Sequence, residues 1–274
     1  MSQPRKQIHL GAHFPGVNNT TVWSDPTSGS QIELDSFIHL ARTAERGLFD
    51  LFFLAEGLRL REHRGQIFDL DVVGRPDAIT VLSALAGVTE HLGLAGTCST
   101  TYNEPYELAR QFASLDFLSG GRAAWNAVTS PDSFTGENFR RGGYLPNEVR
   151  YERAAEFIEL TRAFWDSWDN GPVRRTTAHF DVDAAGTLPR CPQGWPVQIQ
   201  AGDSEGGRDL GAAYADVIFS RHAGYDDGRA YYADVKGRMA RFGRHPDQLK
   251  IMPAATVVLG DSEADAREKA RNIR

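Results

Sequence analysis

The chain has 274 residues, 41% hydrophobic and 24% charged, as in a soluble globular protein with one barrel-sized domain or two smaller ones. Its net charge of −6, with Lys and Arg scattered in pairs and not stripes, argues against nucleic acid as a partner. Two distant cysteines, Cys98 and Cys191, indicate neither a disulfide framework nor a zinc motif. With no signal-like or membrane-length apolar run, a cytoplasmic protein is expected.

Short apolar runs alternate with amphipathic segments, the pattern of βα units. Residues 8–14 read as a first strand, followed by a polar loop and a helix carrying Leu34, Phe37, Ile38, Ala41 and Ala44 at helical spacing. Gly47 stops that helix. A second strand covers 49–55, a long loop 56–75, and a helix 76–90 with Pro76 near its first turn. A third strand is expected at 92–98, a helix at 105–118, a fourth strand at 122–129, and a loop at 130–146 with Phe134, Phe139 and Tyr144. A long helix at 148–168 precedes an irregular stretch, 169–195. The fifth strand, 196–201, runs into a glycine turn and a helix start at Asp203-Ser204. The remainder reads as a strand at 216–221, a helix at 229–242, a strand at 251–259 and a helix from 263 capped by Asp261-Ser262.

Seven βα units are one short of a (β/α)₈ TIM barrel. A doubly wound sheet is the rival, disfavoured because no G-x-G-x-x-G follows the first strand. An open seven-stranded barrel leaves its edge strands bare, so the expectation is a single barrel domain, 1–274, C-terminally truncated with its eighth strand missing after Arg274.

In such barrels chemistry lies at the C-terminal strand ends. There the sequence places His13-Phe14, Glu56, Thr97-Cys98-Ser99-Thr100, Asn126, Thr129-Ser130, Gly202–Glu205 and Ser220-Arg221-His222. Hydroxyls and amides dominate, which suits hydrogen bonding to a polyhydroxylated ligand and not the paired carboxylates of glycoside hydrolysis. No His/Asp/Glu set has ligand spacing, so no catalytic metal is expected. The turn Gly202–Gly207 joins a strand to a helix N-terminus, where free N–H groups and the helix dipole suit a phosphate, though Ser204 can equally be a plain helix cap. Asn126, within an apolar run, needs a partner from ligand or backbone. Arg150 and Tyr151 begin the long helix, where both could meet an anion.

Several stretches together resemble the bacterial luciferase-like flavin monooxygenases, in the branch of nitrilotriacetate monooxygenase component A and dibenzothiophene-sulfone monooxygenase. They are residues 46–50 (RGLFD), 53–56 (FLAE), 103–106 (NEPY), 119–130 (SGGRAAWNAVTS), 150–154 (RYERA), 165–168 (WDSW) and 200–204 (QAGDS). The resemblance implies an FMN-dependent TIM barrel that takes reduced flavin from a separate NAD(P)H:flavin reductase and uses O₂ to oxygenate a small organic substrate containing sulfur or nitrogen. It also implies Tyr151 and Ser204 at the flavin phosphate, and Thr97, Ser99, Asn126 and Ser130 along the ring or ribityl chain. Glu56 would stand at the ring end, with Asn147 a further flavin contact where many relatives have His. His13 would be the catalytic candidate, and with Phe14 and Trp23 would shape the substrate side. A homodimer or higher homo-oligomer is expected. A deazaflavin-dependent dehydrogenase on the same fold, and an inactive flavin-binding homologue, are the alternatives.

Overall fold

The computed structural model describes residues 7–14, 29–60, 62–63, 66–67, 76–130, 133–139 and 145–272. Seven parallel strands form one sheet: β1 (Gly11–His13), β2 (Leu51–Leu54), β5 (Gly93–Ser99), β6 (Ala123–Val128), β9 (Val197–Gln200), β10 (Val217–Ser220) and β11 (Lys250–Pro253), hydrogen-bonded in that order. Between them come two antiparallel hairpins, β3 (Glu62–His63) with β4 (Gln66–Ile67) and β7 (Val173–Thr176) with β8 (Asp181–Ala184). The helices are α1 (Leu34–Arg46), α2 (Ala78–Ala86), α3 (Pro105–Ser119), the short α4 (Ser133–Gly136), α5 (Asn147–Asn170), α6 (Glu205–Tyr214), α7 (Tyr225–Arg238) and α8 (Glu263–Asn272).

The sheet curls until it is nearly closed into a barrel. A Cβ built on Gly11 of β1 would lie 3.4 Å from the Cε of Met252 on β11, so the first and last strands approach one another. Strand alternation sorts the side chains into two cores. Inside the curl, Phe53, Ala95, Ala124 and Ile199 pack with Leu51, Val197 and Val217. On the outer face, Phe52, Leu94 and Trp125 meet Phe37 of α1, Leu82 of α2, Phe112 of α3 and Phe157 of α5. Trp125 is fully buried and donates its ring N–H to the Cys98 carbonyl at 3.1 Å.

The N-terminal strand ends are tied by structural contacts. Gly120 and Gly121, at φ 68° and 89°, turn the chain from α3 into β6 through the left-handed region that glycine adopts without strain. Arg122 then reaches the carbonyls of Leu92 (2.7 Å), Thr89 (2.9 Å) and Ser119 (2.7 Å).

Three expectations are corrected. The stretch 169–195 is not irregular throughout, because β7 and β8 pair across Arg174 and Asp183, 3.0 Å apart. Four-residue, largely exposed strands leave no hydrophobic alternation to detect. The last strand stops at Pro253, where its pairing with Ser220 ends, and Val257 and Leu259 are exposed. The helix expected at 229–242 begins earlier, at Tyr225, and passes into a 3₁₀ turn at Met239–Phe242. No described helix is long and apolar enough to cross a membrane.

Candidate functional site

Six of the expected site residues meet as three pairs of polar side chains. Thr97 and Asn126 are register partners on β5 and β6, and the Asn126 amide donates to Thr97 Oγ1 at 2.9 Å. Both are buried on the inner face, and Asn126 Oδ1 is buried without any hydrogen-bond partner. One layer further along, the Ser130 hydroxyl donates to Ser99 Oγ at 2.8 Å, and Ser99 Oγ also accepts the Thr101 N–H at 3.2 Å. The first pair follows from the parallel register; Ser99 is in register with Val128, and Ser130 reaches it from two residues beyond the end of β6. Residues two apart on one strand share a face, and their partners on the next strand share it too.

The third pair is Tyr151, on the second turn of α5, and Ser204, the N-cap of α6, with hydroxyls 2.7 Å apart. Ser204 Oγ accepts the Gly207 N–H at 3.2 Å. Two glycines make this contact possible. A Cβ on Gly206 would lie 2.6 Å from the Tyr151 ring, and one on Gly207 would lie 2.8 Å from the Gly202 backbone and 3.0 Å from the Tyr151 hydroxyl. The tyrosine therefore lies directly on the first turn of α6, where N–H groups and the positive dipole end are concentrated.

Polar groups that sequence reasoning did not assign to the site surround that turn. The Asp203 carboxylate lies 3.1 Å from His222 Nε2 and 3.0 Å from Arg208, and Arg208 also reaches Asp234 at 2.8 Å. The hydrogen bond from His222, then that from Arg208, holds the Asp203 carboxyl below the usual carboxylate range. Its negative charge, which would oppose an anion at α6, is met by the Arg208 guanidinium. The signal was present in Ser220-Arg221-His222 at the sixth strand end, but the hydrogen bond with Asp203 requires the β9–β10 adjacency.

His13 lies on the inner face between Phe53 (ring centroids 5.3 Å) and Phe219 (6.2 Å). Burial lowers its pKa, so the imidazole is neutral at pH 7. Glu56, half-buried beyond β2, has its pKa pushed up to about 7, mainly by burial and then by the Asp77 carboxylate, against a backbone hydrogen bond from Ala78. The buried Cys98 thiol beside it is raised well above its ordinary range by burial and by the same two carboxylates.

Phe14 does not join His13. It is 5% exposed and stacks on Phe37 of α1 at 4.2 Å, in the outer core, because successive strand residues point to opposite faces. Arg150 is directed to its own helix start, donating to the Leu145 carbonyl at 2.8 Å. Trp23 lies outside the described residues, and only the backbone of Asn147, the first residue of α5, is described.

Residues 16–274 match the sequence model of the luciferase-like monooxygenase family. The chain belongs to this family. Among its relatives it is 38% identical to N-acetyl-S-(2-succino)cysteine monooxygenase of Bacillus subtilis (strain 168), over 100% of this chain and 66% of the relative. It is also 38% identical to nitrilotriacetate monooxygenase component A of Aminobacter aminovorans, over 98% of this chain and 66% of the relative. The chain thus spans just under two thirds of the length of both. Among solved structures, riboflavin lyase with modified FMN and the substrate riboflavin superposes with a TM-score of 0.88 at 27% identity, covering 98% of this chain and 66% of that one. The family agrees with the expectation drawn from the motifs at 46–56, 119–130 and 200–204.

Proposed function

We propose that the strand-end site binds FMN and that the protein acts as an FMN-dependent monooxygenase. It would take reduced flavin from a separate NAD(P)H:flavin reductase and use O₂ to oxygenate a small organic substrate containing sulfur or nitrogen. The observation that carries this reading is the Tyr151–Ser204 hydroxyl pair, fixed on the first turn of α6 by Gly206 and Gly207. Two hydroxyls, free N–H groups and a helix dipole are a donor set for a phosphate. The orphaned Asn126 Oδ1 fits the same reading, since a buried acceptor without a partner suits a ligand N–H or hydroxyl. The FMN in the riboflavin lyase structure and the designation "component A" of the Aminobacter relative point the same way.

FMN supplies the redox chemistry with O₂ when it is bound; the protein's part is to hold it and exclude water. Tyr151 and Ser204 would hold the phosphate, while Thr97, Ser99, Asn126 and Ser130 would hold the ribityl chain or ring. Neutral His13, between Phe53 and Phe219, offers a nitrogen that accepts a proton. Glu56, poised near pH 7, offers a carboxyl that gives or takes one. The test is oxygen uptake and product analysis with reduced FMN generated by an added reductase, across sulfur compounds and aminopolycarboxylates. Oxygenated product is expected; preferential binding of a deazaflavin over FMN would contradict the reading.

Two variants separate ligand contacts from structural ones. Ser204→Ala should weaken FMN binding roughly tenfold through loss of one hydrogen bond to a charged group. Unchanged FMN affinity with a lowered thermal midpoint would make Ser204 a helix cap only. Asn126→Leu removes an unpaired buried acceptor along with one hydrogen bond, so stability should stay within about 1 kcal/mol while FMN affinity falls about tenfold. Chemical denaturation alongside flavin titration checks both, and a destabilised variant with intact affinity would give Asn126 a purely structural part.

A further inference from the structure

We infer that Glu152, Glu156 and His179 bind one divalent transition-metal ion that clamps the β7–β8 hairpin to α5. Glu152 and Glu156 are four residues apart on α5 and therefore share a face. His179 comes from the connection between β7 and β8. The three side chains offer ligand atoms within 4.8 Å of one another. Atoms bound to one tetrahedral zinc-like ion at about 2.0–2.2 Å lie roughly 3.3 Å apart. His179 Nε2 and Glu152 Oε2 are 3.9 Å apart, and Glu152 is exposed enough to close the difference by side-chain rotation.

A separate observation points to a ligand. His179 Nε2 is buried and has no hydrogen-bond partner, a costly state that coordination removes. Glu156 is already oriented for the purpose: it accepts from Thr177 Oγ1 (2.8 Å), the His179 N–H (3.1 Å) and the Ala178 N–H (3.3 Å), which leaves about one lone-pair position of four. The neighbouring Arg153 is held off, its guanidinium 4.2 Å over the Phe180 ring and bonded to the Thr100 and Asn103 carbonyls. One imidazole with two carboxylates selects zinc-like ions over Mg²⁺ and Ca²⁺, which prefer all-oxygen shells. The site lies on the helical layer, where an ion would join α5 to the hairpin connection.

The test uses the full protein stripped with a chelator and titrated with Zn²⁺ and Co²⁺. One ion per chain is expected, with a Co²⁺ visible absorption band and a thermal midpoint several degrees higher. His179→Gln and the conservative surface variant Glu152→Gln should each weaken binding about a hundredfold and abolish the thermal shift, without altering far-ultraviolet circular dichroism. Absence of stoichiometric binding to the stripped protein, or wild-type binding by both variants, would overturn the inference.

Discussion

A Gly207→Ala variant is expected to bind FMN about a hundredfold more weakly than the wild type, a loss of about 2.7 kcal/mol. The added methyl would meet the Gly202 backbone at 2.8 Å and the Tyr151 hydroxyl at 3.0 Å. Backbone cannot swing aside as a side chain can, so the first turn of α6 must move away from the β9 end. That movement breaks the Tyr151–Ser204 contact and misaligns the N–H groups with a phosphate. Gly206→Ala should also weaken FMN binding, because its methyl would meet the Tyr151 ring at 2.6 Å and push the phenol off Ser204, although the helix gains about 1 kcal/mol in propensity. Flavin titration by fluorescence quenching, with circular dichroism to confirm folding, measures both. Wild-type affinity in Gly207→Ala would show that the α6 turn is not part of the flavin site.

Glu56→Gln is expected to reshape the pH dependence of stability. In the folded protein the Glu56 carboxyl titrates at about 7, raised from an ordinary 4.5 by burial and then by Asp77. The fold therefore favours the protonated form. That contribution is fully present below pH 4.5 and is lost as pH rises through 7. At about 1.4 kcal/mol per pH unit, the ionised carboxylate costs up to about 3 kcal/mol above pH 8. A neutral glutamine avoids this, so the variant should match the wild type at pH 4.5 and exceed it at pH 8.5 by up to about that amount. Urea unfolding at the two pH values measures the difference. Parallel stability profiles would mean that the carboxyl is solvated like any surface acid.

Much of the geometry of the candidate site was legible because a parallel sheet converts sequence position into spatial position. Residues at corresponding strand ends fall on one rim, which is why Thr97 meets its register partner Asn126 and why Ser130, just past β6, comes within reach of Ser99. The turn at Gly202–Gly207 was readable as a phosphate seat or a cap, and the contact with Tyr151 adds a second hydroxyl from a different element. Three features were not legible. Which face Phe14 takes depends on the exact phase of a three-residue strand, too short to display a period. The Asp203–His222 pair depends on β9 and β10 being neighbours. The Glu152, Glu156 and His179 group depends on a polar hairpin whose strands carry no hydrophobic pattern. Local periodicity reports which elements form; contacts between distant elements come from packing.

The central claim, that Tyr151 and Ser204 seat the FMN phosphate on α6, is tested most directly by comparing FMN with riboflavin, which lacks that phosphate. The wild type should bind FMN at least tenfold more tightly than riboflavin. A Tyr151→Phe/Ser204→Ala double variant should lose that preference through weaker FMN binding alone, with riboflavin affinity unchanged. Equal wild-type affinity for the two flavins, or an undiminished FMN preference in the double variant, would contradict the account.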